Sequence, residues 1–164
     1  MSDGNVEQVS FRPIGIVHSA FKAEQGTPVQ PALSKGAPGW IEVFAEFGDG
    51  LKDIEGFERL WLLFWCNRAS TCRLVVEPYL DNSPHGIFAT RSPSRPNPIG
   101  LSCVRLVGRD GLRLDIADVD LLDGTPLLDI KPFVPQFDNF EVGKTGWYGA
   151  HLPESKQAVK RFTR

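Results

Sequence analysis

Proline and glycine set the first constraint on this chain. It carries 16 glycines and 13 prolines among 164 residues, well above the ordinary combined share of roughly 12%. Proline breaks a helix interior and glycine weakens one. Long helices are therefore excluded, and many short strands joined by tight turns are expected. The chain is 41% hydrophobic and 23% charged, an ordinary globular balance, so a disordered chain is excluded too. At this length one domain can bury most of its apolar surface. The longest apolar run, Leu60–Cys66, falls far short of the roughly 20 residues of a membrane helix, so no membrane partner is expected. Met1–Ser10 is polar and acidic and does not read as a secretory signal. Three cysteines, Cys66, Cys72 and Cys103, are an odd number, which suits a reduced, cytoplasmic protein. The net charge of −2 argues against a generic nucleic-acid binder and leaves room for a local basic patch.

Hydrophobic periodicity supplies the strands. Val9–Phe21 reads as an opening strand, with Ile14, Ile16 and His18 on one face and Val17 and Ser19 on the other. Ile41–Phe47 alternates, with Ile41, Val43, Ala45 and Phe47 against Glu42 and Glu46. Asp49–Phe57 has room for one helical turn. Leu60–Cys66 is continuously apolar and predicts a central strand buried on both faces. Arg73–Val76 predicts a further strand, stopped by Pro78. Leu101–Val107 and Leu112–Asp118 flank Asp110-Gly111, a hairpin signal, and Leu127–Ile130 follows the Asp123-Gly124 turn. Pro153–Arg164 predicts a C-terminal helix. Seven or eight mostly antiparallel strands must hide their edges, and a small β-barrel does so.

Some chemistry is absent. There is no GxGxxG, GxxxxGK[ST], GxSxG or HExxH, and His18, His85 and His151 lack metal-ligand spacing to the cysteines. Cys66 reads as core packing, as do Trp61, Phe64 and Trp65. The stretch Phe88–Gly100 stands out: three prolines stiffen it, and Arg91, Arg95 and Asn97 sit at fixed places along it. No carboxylate lies between Asp81 and Asp110. Such a loop suits an anion or a planar polar group; it also suits a stiffened connecting loop. The next stretch reverses the sign, with Asp118, Asp120 and Asp123 among its carboxylates. These serve either turns or a ligand's hydroxyls and ammonium. Gln30, between Pro28 and Pro31, carries an amide able to donate and accept, in what is on composition an ordinary surface loop.

Taken in order, Ile14–Ser19, Pro28-x-Gln30, Leu60–Phe64, Phe88–Ser102 and Leu122–Pro132 resemble the TsaA-like, or TrmO, family of S-adenosylmethionine-dependent tRNA methyltransferases. The string Ala89-Thr90-Arg91-Ser92-Pro93-x-Arg95-Pro96-Asn97-Pro98-Ile99-Gly100 is its most specific part. The resemblance runs from about residue 11 to 135, leaving a tail at 136–164. It implies a single-sheeted antiparallel β-barrel, a homodimer, and methylation of N6 of threonylcarbamoyl-adenosine at tRNA position 37, with S-adenosylmethionine as donor and no metal. It carries donor-binding roles onto Pro28, Val29, Gln30, Asn67, Arg68, Arg91, Leu101, Asp118, Val119, Asp120 and Asp123. Arg95 and Asn97 are expected either to face the substrate or to hold the proline-rich loop in shape. Val29 stands where an Arg is common, and Asn67 where the family usually has His, so Asn67 can hydrogen-bond but cannot act as a general base. Longer members carry a further C-terminal domain, and the chain is expected to be one domain without it. Lys156, Lys160, Arg161 and Arg164 are then left either as candidate phosphate contacts or as a solvated basic helix face. The same resemblance leaves open donor chemistry on a small molecule or another RNA, and a non-catalytic donor-binding regulator.

Overall fold

A computed structural model describes residues 8–28, 30 and 33–150. The expected C-terminal helix, the basic tail, Val29 and His151 lie outside these described residues. Eight strands lie among the described residues: β1 (Gly15–Ser19), β2 (Gly39–Val43), β3 (Arg59–Trp65), β4 (Val75–Val76), β5 (His85–Gly86), β6 (Ile99–Asp110), β7 (Arg113–Ala117) and β8 (Thr125–Pro132). Six of them close an antiparallel barrel in the order β1-β2-β7-β6-β3-β8, while β4 and β5 form a separate pair. The only α-helix among the described residues is a single turn, Pro135–Asp138. No helix there is long and apolar enough to cross a membrane.

Alternation builds the core. Leu114 and Ile116 of β7 are buried while Arg113 is exposed. Ile41 stands opposite Leu114 across β2 and β7, and Val17 opposite Ile41 across β1 and β2. With Leu60, Leu62, Val104 and Leu127 they fill the barrel. Gly15 lets the barrel close, because a Cβ there would strike the Glu42 carbonyl.

Several sequence expectations are corrected. The opening strand is confined to Gly15–Ser19, and of its two faces the one with Val17 points into the core. The alternation from Ile41 stops at Val43; Ala45–Leu51 is a 3-10 helix, from which Phe47 packs against the core. β3 is not buried on both faces. Leu60 and Leu62 point inward, whereas Trp65 at the strand end is 46% exposed. A closed barrel has one inward face per strand, and its antiparallel neighbours β6 and β8 leave β3's outer face to be half-covered by residues such as Phe133, whose ring lies 5.8 Å from that of Trp61. Arg73 and Leu74 fall outside β4.

Candidate functional site

A cavity of about 430 Å³ opens at the end of the barrel where β3 finishes and β6 begins. That is within the range of small-molecule sites, roughly 300–1,000 Å³. Several separate stretches wall it. Phe64 and residues 66–69 come from the end of β3, and Ile99–Ser102 from the start of β6. The loop holding Glu24, Thr27, Pro28 and Gln30 forms a third side. Thr90–Pro93 and Arg95 of the proline-rich stretch form the fourth, and Asp120–Leu122 line the floor.

Local chemistry explains each wall. In the proline-rich stretch, the Thr90 hydroxyl donates to the Ile87 carbonyl (2.9 Å) and accepts from the Ser92 amide (3.3 Å); the Ser92 hydroxyl accepts from the Ser94 amide (3.4 Å). These side-chain turns, with three prolines, hold the loop without a ladder. Arg91 is thereby presented to the cavity, where its Nη1 donates to Gln30 Oε1 at 2.6 Å. The two expected ligand loops therefore meet. Arg95 Nη2 donates to the Ile87 carbonyl at 3.4 Å and also lines the cavity. At β3's end a bulge between Leu63 and Phe64 bends the strand. Phe64 then lies across Gly100 of β6, where a Cβ would collide with its ring.

Asp120 is the most perturbed acid. Ser102 occupies an inward position of β6 and is almost wholly buried; its hydroxyl donates to Asp120 Oδ1 at 2.7 Å. Burial pushes the Asp120 carboxyl from 3.8 up to about 7, against the opposing pull of Ser102, its own backbone N–H and Arg91. Burial likewise pushes the Cys66 thiol up to about 11; Arg95 opposes this and Asp120 adds to it. Cys66 is thus a cavity wall rather than plain core, and Phe64 shares that wall, while Trp65 does not line it. Glu24 Oε2 is buried with no hydrogen-bond partner.

Of the residues expected at the site, Pro28, Gln30, Asn67, Arg68, Arg91, Arg95, Leu101 and Asp120 line the cavity. Arg68 is also structural: it donates to the carbonyls of Lys22 and Asp123, each at 2.9 Å. Four expected residues are not on its walls. Asp118, in the left-handed region at φ 64°, pairs with Arg59 at 3.0 Å. Val119 is buried in the core. Asp123 accepts from the Ser19 amide and Lys22 Nζ, which hold its carboxyl below the usual range. Asn97 stays outside on the exposed loop. Glu24, Ser102, Tyr79, Trp147 and Tyr148 line the cavity without having been expected. Only Ser102 left a trace in the sequence, as a polar residue between the apolar positions of β6. The others arrive from loops, where no periodicity operates. The rings of His85, Trp147 and Tyr148 stack in series beside the mouth, and Trp147 Nε1 donates to the Ala89 carbonyl at 2.9 Å.

Residues 16–139 match the family described as the tRNA-methyltransferase O N-terminal domain. A probable S-adenosyl-L-methionine-binding protein of Pyrococcus abyssi is 51% identical over 150 residues, covering 92% of this chain and 82% of the relative. The tRNA (adenine(37)-N6)-methyltransferase of Escherichia coli is 35% identical over 159 residues, covering 91% of this chain and 67% of the enzyme. The crystal structure of TrmO from Pseudomonas aeruginosa superposes with a TM-score of 0.72 at 38% identity, covering 86% of this chain. The match spans 63% of that crystallised chain, less than two thirds of its length.

Proposed function

Since the chain belongs to the tRNA-methyltransferase O N-terminal domain family, we propose that it transfers a methyl group from S-adenosylmethionine to N6 of adenine 37 in tRNA, where the base bears a threonylcarbamoyl group. The observation that carries this reading is the cavity itself. It gathers, from three separate stretches, Gln30, Arg91 and Leu101, all of which the resemblance gives to the donor.

The donor's chemistry fits the residues present. Its methionine end is a zwitterion, and the cavity offers groups of both signs. Arg91 is placed to fork onto the carboxylate, with Gln30 fixing its orientation. Glu24 Oε2, buried and unpartnered, suits the ammonium; left unmatched, such a group costs about 1–3 kcal/mol. Asn67 and the cavity-facing backbone are left for the adenosine. When bound, the donor supplies an electrophilic methyl on a sulfonium. The protein's part is to hold the acceptor nitrogen in line with it, at roughly 3–3.5 Å. Arg95, at the same wall, is placed to meet the substrate.

Two of the barrel's own residues support a homodimer. Trp65 and Ile99 stand opposite one another across β3 and β6 and are both exposed beside the cavity. Light scattering should give twice the chain mass, and a monomer at all working concentrations would end that part of the reading.

Titration calorimetry with S-adenosylmethionine, then labelled-methyl transfer to tRNA with and without the threonylcarbamoyl group, tests the whole. Binding near one donor per chain and transfer only to the modified tRNA are expected. Arg91→Ala should weaken donor binding by roughly tenfold to a hundredfold, the worth of a charge-assisted hydrogen bond. Donor binding without transfer to either tRNA would favour a binding protein, the description carried by the Pyrococcus relative. Failure to bind the donor would overturn both.

A further inference from the structure

Methylating an exocyclic adenine nitrogen leaves a proton to be removed, and nothing in the roles given so far removes it. We propose that Asp120 is the proton acceptor of the transfer, its carboxylate taking the N6 hydrogen as the new C–N bond forms, with Ser102 as the residue that positions it. The inference rests on the methyltransferase reading above.

Placement comes first. Asp120 lies on the floor of the cavity, where the segment leaving β7 runs back beside β6. Ser102 projects inward from β6 and holds Oδ1 at 2.7 Å. The neighbouring carboxylates are spent: Asp118 is paired with Arg59, and Asp123 with Lys22. Asp120 instead receives its hydrogen bond from a neutral hydroxyl. Arg91 acts on it through space while donating from Nη1 to Gln30.

The other groups sharing the cavity suit the task less. Cys66, at the end of β3, is held as a thiol to about 11. Arg91 and Arg95 of the proline-rich loop and Arg68 beyond β3 stay protonated and cannot accept. Glu24 has its buried oxygen turned to the donor's ammonium in the reading above. A buried carboxyl titrating near neutrality is also the kind of base that proton transfer favours at physiological pH.

The step balances. The N6 lone pair forms the bond to the methyl carbon while the carbon–sulfur bond breaks and its electron pair stays on sulfur as a neutral thioether. The N6–H bond breaks in turn; its electron pair remains on nitrogen, restoring the conjugated amine, and the proton joins Asp120. Asp120 then returns the proton to solvent when the products leave.

The test is single-turnover methylation of tRNA by the donor-loaded protein across pH 5–9. The rate should climb about tenfold per pH unit below about 7 and level off above it. Asp120→Asn should lower the plateau by roughly 10²–10⁴-fold and abolish the climbing limb, while calorimetric donor affinity stays within about threefold. Asp120→Glu should restore the limb at reduced rate. Ser102→Ala removes a hydrogen bond to the charged form and should move the limb to higher pH. Apart from activity, carbon-13 NMR of the donor-free protein should show one aspartate carboxyl titrating near 7, missing in Asp120→Asn. A variant Asp120→Asn that keeps its rate, or loses donor affinity as much as rate, overturns the role. A wild-type protein that binds the donor but methylates no tRNA overturns the methyltransferase reading, and this role with it.

Discussion

Asp120→Asn should make the free protein more stable even as it removes turnover. The wild-type carboxyl titrates at about 7 in the folded protein against 3.8 for an ordinary aspartate. A folded pKa raised in this way means the folded state binds the proton more tightly than the unfolded chain. No penalty exists below about 3.8. Between there and about 7 the unfolded chain has released its proton and the folded one has not, so stability falls with rising pH. Above 7 the loss is complete, with a ceiling of about 4 kcal/mol for three pH units. Asparagine has nearly the same shape, can still accept from the Ser102 hydroxyl, and carries no charge to desolvate. Urea unfolding of both proteins at pH 5 and pH 8 isolates this one group, because all others cancel in the difference. The stability advantage of Asp120→Asn should be roughly 2–3 kcal/mol larger at pH 8 than at pH 5. An advantage that does not grow with pH would refute the claim that burial of this carboxylate is what strains the cavity floor. A site that trades stability for chemistry in this way is common in enzymes.

Three further outcomes follow from the packing and the loop anchors. Leu62 is fully buried in the barrel, so Leu62→Ala should cost about 2–5 kcal/mol in urea unfolding; a loss under 1 kcal/mol would mean the core collapses around the gap. Gly100→Ala places a methyl against the Phe64 ring and should push that ring within the cavity wall, lowering donor affinity about tenfold or more in calorimetry; unchanged affinity would show that the ring yields freely. Asp123→Asn should destabilise the protein at pH 7, since the wild-type carboxyl is depressed by Lys22 and the Ser19 amide. That stability is present above about 4 and is lost as pH falls through the lower folded pKa, so the gap between thermal melts of the two proteins should shrink as pH is lowered below about 4.

How far the fold could be read in advance varied with the element. The hairpin of β6 and β7 was plain, because Leu112, Leu114 and Ile116 alternate and Asp110-Gly111 marks the turn, and Gly111 takes the left-handed φ of 59° that such a turn demands. The run Leu60–Cys66 misled, because an outward face half-covered by neighbouring residues is as apolar in composition as a buried one. Ala45 and Phe47 misled for the opposite reason: their spacing continued the alternation of β2, and only packing made a 3-10 helix of them. The candidate site was half visible. Gln30 and Arg91 stood out as polar residues among prolines, and the structure joins them at 2.6 Å. Asp118, Asp120 and Asp123 could not be sorted from one another, being alike in type and nearly alike in spacing.

The local order of strands and turns, the one-sided burial of β2 and β7, the barrel class and the family were determined by the sequence alone, because alternation, turn residues and a long proline-rich string are properties of neighbours along the chain. Which of three aspartates meets a cavity rather than an arginine, which carboxylate oxygen of Glu24 is buried without a partner, and why Ser102 interrupts an apolar face were decided only when the barrel closed. Closure brings β6 beside the segment after β7 and sets loops more than sixty residues apart against each other. Burial and charge at such a place depend on distance in space, which spacing along the chain does not record.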